Sequence, residues 1–119
     1  SNIDEAITKV TNQLKTAGFG VLTTIDFAAK LKEKLNVEIP STIILGACNP
    51  ALAYEVYQQT TDFLSLLPCN VVIREITPTN YSIEMIKPSQ MVKQLENKNI
   101  DAMVGDMDET MLKLLMKII

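Results

Sequence analysis

The sequence predicts an α+β fold: a single domain over residues 1–119, in which helices pack on a mixed sheet of about four strands. Segments with apolar residues at helical spacing alternate with short apolar, β-branched runs, which indicates the order α-β-α-β-α-β-β-α-α. Turn and capping residues lie at the boundaries between these segments. Strands that alternate with helices imply at least one parallel crossover, and two successive strands imply an antiparallel hairpin.

The first helix and the first strand are separated by a clear stop signal. Apolar residues recur at helical spacing over residues 3–17, and Gly18 follows as a typical C-terminal residue. Phe19–Ile25 is apolar and β-branched, which predicts a strand. Asp26 is suited to cap a second helix, which we expect to end before Pro40.

The second strand leads directly into the third helix. Thr42–Ala47 is a short apolar run without alternation, as expected for a strand that is covered on both faces. Asn49 is suited to the N-cap and Pro50 to the first helical position, so together they predict a helix that continues to about Thr61.

The second half of the chain contains a predicted hairpin. Val71–Thr77 and Tyr81–Lys87 alternate between apolar and polar residues, and Pro78-Thr79-Asn80 supplies the loop between them. Arg74, the only arginine, lies on the first of these strands, where we expect it to pair with a carboxylate.

The remaining chain is predicted to be largely helical. Pro88 opens a fourth helix that ends near Asn97, and a short apolar run follows over Ile100–Val104. Gly105 then interrupts the chain, and Asp106 is suited to begin the last helix.

Composition argues against several classes of protein. The 119-residue chain is 47% apolar and 21% charged, which is typical of a globular domain with one core. Its net charge of −3 and its scattered basic residues argue against nucleic-acid binding, and no apolar run is long enough to span a membrane. The chain shows no signal peptide and its two cysteines form no disulfide framework, so we expect a cytoplasmic protein with free thiols. No nucleotide-binding glycine motif occurs, and we expect no cofactor.

Both cysteines lie in turns where an apolar run changes direction, and an asparagine follows each of them. The first turn stands at the N-terminus of a predicted helix, where free backbone N–H groups favour an anion. We therefore predict a pocket for a small ligand or an anion, formed by Cys48, Asn49, Pro50, Pro68, Cys69 and Asn70. The structural alternative is that the asparagines only cap a helix and fill a turn.

Thiol chemistry offers a second interpretation of the first turn. The chain has no histidine, so an activated thiol would depend on a helix N-terminus, and Cys48 lies one residue before the predicted N-cap. This setting lowers the pKa of a thiol and would make Cys48 a nucleophile or a redox group. The alternative is a small buried side chain that completes a tight turn. Two thiols without histidine fall short of a zinc site, so we expect no metal, and no catalytic residues are identified.

The distance between the two cysteines depends on strand direction. If the second and third strands are parallel neighbours, Cys48 and Cys69 lie at opposite strand ends, ~15–20 Å apart. A disulfide requires Cα atoms within ~7 Å, so we do not expect one. Residues 62–68 are nevertheless long enough for the chain to double back, which leaves proximity open.

The last helix is apolar over more of its circumference than one core usually covers. Methionine-rich surfaces of this kind are common at adaptable interfaces. We therefore predict that this helix joins two copies of the chain in a homodimer, through Met111, Leu112, Leu115, Met116 and Ile119. Burial within one chain is the alternative.

Four segments carry a family resemblance: Gly18–Leu22, Ile44–Pro50, Leu66–Ile73 and Lys87-Pro88. Their order, with the motifs Cys-Asn-Pro and Leu-Pro-Cys-Asn, resembles domain of unknown function family 302 over about residues 3–118. The resemblance implies a small mixed α/β fold and a cytoplasmic, bacterial origin, and it implies no activity. The family's usual Asp-Pro is Lys87-Pro88 here, which argues against a carboxylate role at that point.

The leading hypothesis is a small cytoplasmic binding or accessory domain, homodimeric, with a ligand pocket at the two cysteine turns. A thiol-based redox protein or enzyme that uses Cys48 is the first alternative, and a structural module that binds a partner through the last helix is the second. The sequence leaves open whether the protein is an enzyme. The predicted partners are a second copy of the chain and an unidentified small molecule or anion, without nucleic acid or membrane.

Overall fold

The computed structural model describes residues 3–118, with side chains described for residues 3–115. The predicted α+β class and the four-stranded sheet are confirmed. Within the described range, no helix combines the length and the apolar character that a membrane crossing requires. In chain order the elements are α1 (Ile3–Thr16), β1 (Gly20–Asp26), α2 (Phe27–Leu35), β2 (Thr42–Cys48), α3 (Pro50–Gln59), a first 3₁₀ helix (Asp62–Leu66), β3 (Cys69–Thr77), β4 (Asn80–Met85), α4 (Pro88–Val92), a second 3₁₀ helix (Lys93–Leu95), α5 (Lys98–Val104) and α6 (Met107–Ile118).

The four strands form one antiparallel sheet in the order β1-β2-β3-β4. The expected parallel crossover is therefore wrong. The reason lies in the connection between β2 and β3: α3 has 10 residues and is ~15 Å long, and the residues after it provide enough chain to return. The chain thus re-enters the sheet at the end where β2 left it, and Ala47 becomes the partner of Cys69.

One face of the sheet carries the main core. The helices α1 and α6 pack against each other, and α1 also contacts β1 and β3. Val10 and Leu14 of α1 and Leu114 of α6 cluster with Leu45 and Ile73 of the central strands, and all five are at most 5% exposed. A second cluster joins α3, the first 3₁₀ helix, α4 and α5 through Val56, Phe63, Val92, Ile100 and Val104.

The predicted helix boundaries are confirmed where capping residues act. Gly18, with φ +83°, ends α1. The Oδ1 atom of Asp26 accepts the N–H three residues further on, at 2.9 Å, at the start of α2. Asn49 Oδ1 accepts the N–H of Leu52 at 3.2 Å at the start of α3. These hydrogen bonds satisfy donors that would otherwise be unpaired in the first turn of a helix.

The hairpin of β3 and β4 is confirmed, and so is the role expected for its arginine. Thr77 is the partner of Asn80 at the turn. Arg74 Nη2 lies 2.9 Å from Glu84 Oε2 on the neighbouring strand.

The chain after the hairpin contains one more helix than expected. The apolar run that begins at Ile100 belongs to α5, and the Oδ1 atom of Asn97 caps this helix by accepting the N–H of Ile100 at 3.2 Å. The order after the hairpin is therefore α4, α5 and α6, where the sequence predicted two helices.

Two neighbouring segments approach β2 closely at Gly46. A Cβ atom at this position would overlap Thr23 Oγ1 of β1 and would lie 2.7 Å from Pro68 Cγ. Real Cβ atoms are not found this close to other heavy atoms, so Gly46 is required for β1 and the segment before β3 to take their places.

We predict that Gly46→Ala lowers the free energy of unfolding by about 1–3 kcal/mol, because the added methyl group forces Thr23 and Pro68 away from β2. The matched control is Gly20→Ala, since a Cβ atom there meets nothing within 4 Å. Chemical denaturation would measure both, and equal losses in the two variants would contradict the close approach at Gly46.

Candidate functional site

The two cysteine turns lie at the same end of the sheet. Cys48 is the last residue of β2 and Cys69 is the first of β3. Because Ala47 pairs with Cys69, strand geometry puts the Cα atoms of the two cysteines ~6 Å apart. The separation of ~15–20 Å that parallel strands would have produced is therefore wrong. Both cysteines are free.

The two turns share one cavity of about 60 Å³, which leaves room for a few water-sized molecules. Its walls come from the ends of β2 and β3, from α3, the first 3₁₀ helix, α4, α5 and α6, and from Phe19. Among the lining residues that the structure describes, none is charged. The cavity is therefore suited to a compact ligand that is apolar or polarisable. Its apolar wall includes Phe19, Leu52, Val56, Phe63, Val92 and Val104.

Four sulfur-containing side chains line the same cavity: Cys48, Cys69, Met91 and Met107. Cys69 Sγ lies 3.7 Å from Met91 Sδ. The two cysteines are close enough for the charge of Cys48 to influence the ionisation of Cys69. Two of these four sulfur atoms thus lie together where β3 begins and α4 passes.

A hydrogen-bonded pair ties the first turns of α4 and α6 together. Asp108 Oδ1 accepts the N–H of Ser89 at 2.9 Å, and the Ser89 hydroxyl donates to Asp108 Oδ2. Burial opposes the ionisation of Asp108, but the hydrogen bonds from Ser89 and the charge of Lys87 outweigh it and hold the pKa of this carboxyl below its ordinary value. Because Met91 follows Ser89 on α4 and Met107 precedes Asp108, this pair positions both thioethers at the cavity.

Burial raises the pKa of both thiols. Cys48 is 9% exposed, and desolvation raises its pKa. For Cys69 burial is again the main cause of a raised pKa, and the neighbouring Cys48 raises it further. The lowered pKa that the sequence suggested for Cys48 is wrong, because lost hydration outweighs the dipole of α3. At neutral pH both groups are thiols, which removes the support for a thiolate nucleophile.

Three of the six residues predicted to form the ligand pocket line this cavity. Pro50 is exposed at the start of α3 and Asn70 is exposed on β3, while Pro68 is half-buried beside Gly46. None of these three lines the cavity. The predicted residues that do line it are Cys48, Asn49 and Cys69.

The side chain of Asn49 both caps α3 and lines the cavity. Its Oδ1 atom caps α3 through Leu52, which confirms the capping role, and its side chain also lines the cavity. Its amide nitrogen lies 3.5 Å from the place that a Cβ atom of Gly18 would occupy. The capping side chain therefore has close neighbours on both sides.

The sequence did not predict the part of the cavity wall that lies outside the two cysteine turns. Met91 contacts Cys69 across 22 residues of sequence, and no local pattern predicts such a contact. The one local signal is Pro88, which marks the start of α4 and thereby places Met91 one turn into that helix. Met107 likewise reaches the cavity only through the packing of α6.

The structure describes the side chains of three of the five residues predicted to form the interface on the last helix. Met111 is 3% exposed and belongs to the main core, so it lies within the chain. Leu112 is 59% exposed and Leu115 is half-buried. Met116 and Ile119 lie outside the side chains that the structure describes. The homodimer stays a prediction.

The chain is similar to a described protein family and to a solved structure. A family model described as "Domain of unknown function DUF302" matches residues 1–118, which confirms the family resemblance. No curated protein matches the sequence. A crystal structure of an uncharacterized conserved DUF302 protein from Bacillus stearothermophilus is similar, with a TM-score of 0.86 and 28% sequence identity, over 97% of this chain and 89% of that one.

The raised thiol pKa values predict that the protein loses stability in alkaline solution. The folded chain holds the two thiol protons more tightly than the unfolded chain, so stability is complete below the unfolded pKa of about 8.5 and falls as pH rises above it. Urea midpoints between pH 7 and pH 10 would measure the decline. The control is the double variant Cys48→Ala, Cys69→Ala, whose midpoint is expected to fall less; an equal decline would contradict the burial of the two thiols.

Proposed function

The chain belongs to the DUF302 family, which is described only as a domain of unknown function, and from the site itself we propose that the protein is a small binding domain that holds a compact ligand between its two cysteine turns. The observation that carries this proposal is the shared cavity. Cys48 and Asn49 from the first turn and Cys69 from the second line one space. That space is bordered by α3, the first 3₁₀ helix, α4 and α5, which also pack together in the second apolar cluster.

The size of the cavity limits the class of ligand. About 60 Å³ accommodates a ligand of very few heavy atoms, whereas drug-sized ligands and cofactors occupy pockets of roughly 300–1,000 Å³. A nucleotide or a flavin is therefore not a candidate for this space.

The chemistry of the wall limits the ligand further. A carboxylate or phosphate would require charged or N–H donors, and none of the described lining residues carries a charge. The amide oxygen of Asn49 accepts the capping hydrogen bond of α3, which leaves its amide NH₂ group as the one amide donor among the described lining side chains. Because the rest of the wall is apolar or carries sulfur, the proposed ligand is apolar or binds sulfur.

The cytoplasm of a bacterium is the proposed location. Both cysteines are free, and free thiols persist most readily in a reducing compartment. The similarity to a Bacillus stearothermophilus protein supports a bacterial source.

Xenon is a suitable probe of the proposed binding space, because dry apolar cavities bind it. We predict saturable shifts of the Val56, Val92 and Val104 methyl resonances under xenon pressure. Ala53→Leu adds bulk to the lining and is expected to abolish these shifts.

The matched control for this experiment is Ala29→Leu on the exposed surface of α2. It makes the same substitution away from the cavity and is expected to leave the shifts unchanged. Methyl shifts that do not saturate, or that persist in Ala53→Leu, would contradict a ligand cavity.

A second candidate function, dimerisation through α6, is favoured by one feature of the surface. Leu112 is 59% exposed and stands beside a groove that it lines together with Met85, Pro88 and Leu115. Leu112 thus projects beside a groove between β4, α4 and α6, whose lining also includes the charged residues Lys87, Asp108 and Glu109. In a two-fold arrangement each could meet the other on a second copy, as isologous interfaces require.

Leu112→Glu is predicted to dissociate this dimer, because burying an unpaired carboxylate costs several kcal/mol. Leu64→Glu makes the same change at another exposed leucine, 49% exposed, and is expected to leave the dimer intact. Sedimentation at tens of micromolar would decide: a monomeric wild type, or a dimer that survives Leu112→Glu, would exclude the α6 interface.

A further inference from the structure

Three of the four sulfur-containing side chains that line the cavity support a further inference. Cys48 and Cys69 both line the cavity, and Cys69 Sγ is 3.7 Å from Met91 Sδ. Resting on the proposed ligand cavity, we propose that the ligand is a soft monovalent cation, Cu(I), bound by the thiolates of Cys48 and Cys69 and by the thioether of Met91. The thioether of Met107, in the same wall, stands as a neighbour of this set.

The donor atoms favour Cu(I) over other metals. Thiolate and thioether are soft ligands, and the combination of the two selects Cu(I), whereas Cu(II) prefers nitrogen and oxygen donors in a tetragonal arrangement. Among the described residues there is no group of three or more His, Cys, Asp or Glu that could hold a metal. A zinc site takes its four ligands from those residue types, so zinc is not suited to this place.

The spacing of Cys69 Sγ and Met91 Sδ fits two ligands of a small metal centre. With metal–sulfur bonds of about 2.3 Å, two ligands of a trigonal site are separated by about 4 Å. The observed distance between Cys69 Sγ and Met91 Sδ is 3.7 Å. A Cu(I) ion could therefore bind these two atoms with little movement of β3 or α4.

Binding of Cu(I) by the two cysteines and Met91 involves no change of oxidation state. Cys48 and Cys69 each lose the S–H proton to solvent, their two thiolates and the Met91 lone pair bond to Cu(I), and the complex carries one negative charge. The first turn of α3 begins directly after Cys48, and its partial positive charge partly offsets this excess. Among the described lining residues none is charged, so the two thiolates supply the neutralising charge together with one excess negative charge.

Anaerobic titration of the reduced full chain with tetrakis(acetonitrile)copper(I) tests the proposal. Bicinchoninate serves as the competing chelator. The expected result is one copper per chain, with two protons released at pH 7. X-ray absorption at the copper edge should show only sulfur neighbours at about 2.3 Å.

Variants assign the ligands. Cys48→Ala and Cys69→Ala are each expected to weaken binding by more than about 100-fold, and Met91→Leu by about 10-fold. Met103→Leu is the matched control, because Met103 packs on the second cluster without lining the cavity, and it should bind copper like the wild type. If a cysteine variant fails to fold, Met91→Leu and the proton count of the wild type still test the site.

The outcomes separate this inference from the proposed function. Loss of copper to bicinchoninate at equimolar concentration, nitrogen or oxygen neighbours, or equal binding by Met91→Leu and Met103→Leu would overturn the Cu(I) site. If xenon still saturates the cavity in that case, the ligand cavity stands and only its metal is wrong. If xenon also fails to bind, the proposed function falls as well.

Discussion

The antiparallel pairing of β2 with β3 is the contact on which the rest of the structure depends. Its register, with Ala47 opposite Cys69, brings two turns 21 residues apart in sequence to one end of the sheet. It also leaves α3 and the first 3₁₀ helix beyond the strand ends, where their apolar residues form a cluster separate from the main core. The cavity lies where the two clusters meet, since Phe19 of the first and Val56 of the second both line it.

Gly46 allows the segment before β3 to lie against β2. A glycine inside a central strand weakens the sheet unless another part of the chain has to approach its backbone, and here both Thr23 and Pro68 do so. Pro68 is thereby held against β2 just before the chain enters β3 at Cys69. This explains why a proline that is adjacent to a site residue does not itself line the cavity.

Interactions that span a few residues could be predicted from the sequence, and those between distant segments could not. Gly18, Asp26 and Asn49 act on backbone groups within one helical turn, so residue type and position are sufficient. Strand direction depends on whether the chain after α3 turns back, and nothing in residues 60–68 signals it. The 7 residues of α5 are too few to show a helical period. The meeting of Met91 with Cys69 depends on all of these together.

The two influences on the thiols explain which kind of ligand the site favours. The N-terminus of α3 favours negative charge beside Cys48, yet burial in an apolar wall raises the pKa of the thiol. Each group therefore stays neutral in the folded protein until a positive charge enters the cavity itself. An anion would bring the wrong charge into an apolar space, and a polar neutral ligand would find few partners there. In the proposed Cu(I) site, the burial that makes Cys48 a poor nucleophile also means that the two thiols give up their protons only when the cation binds.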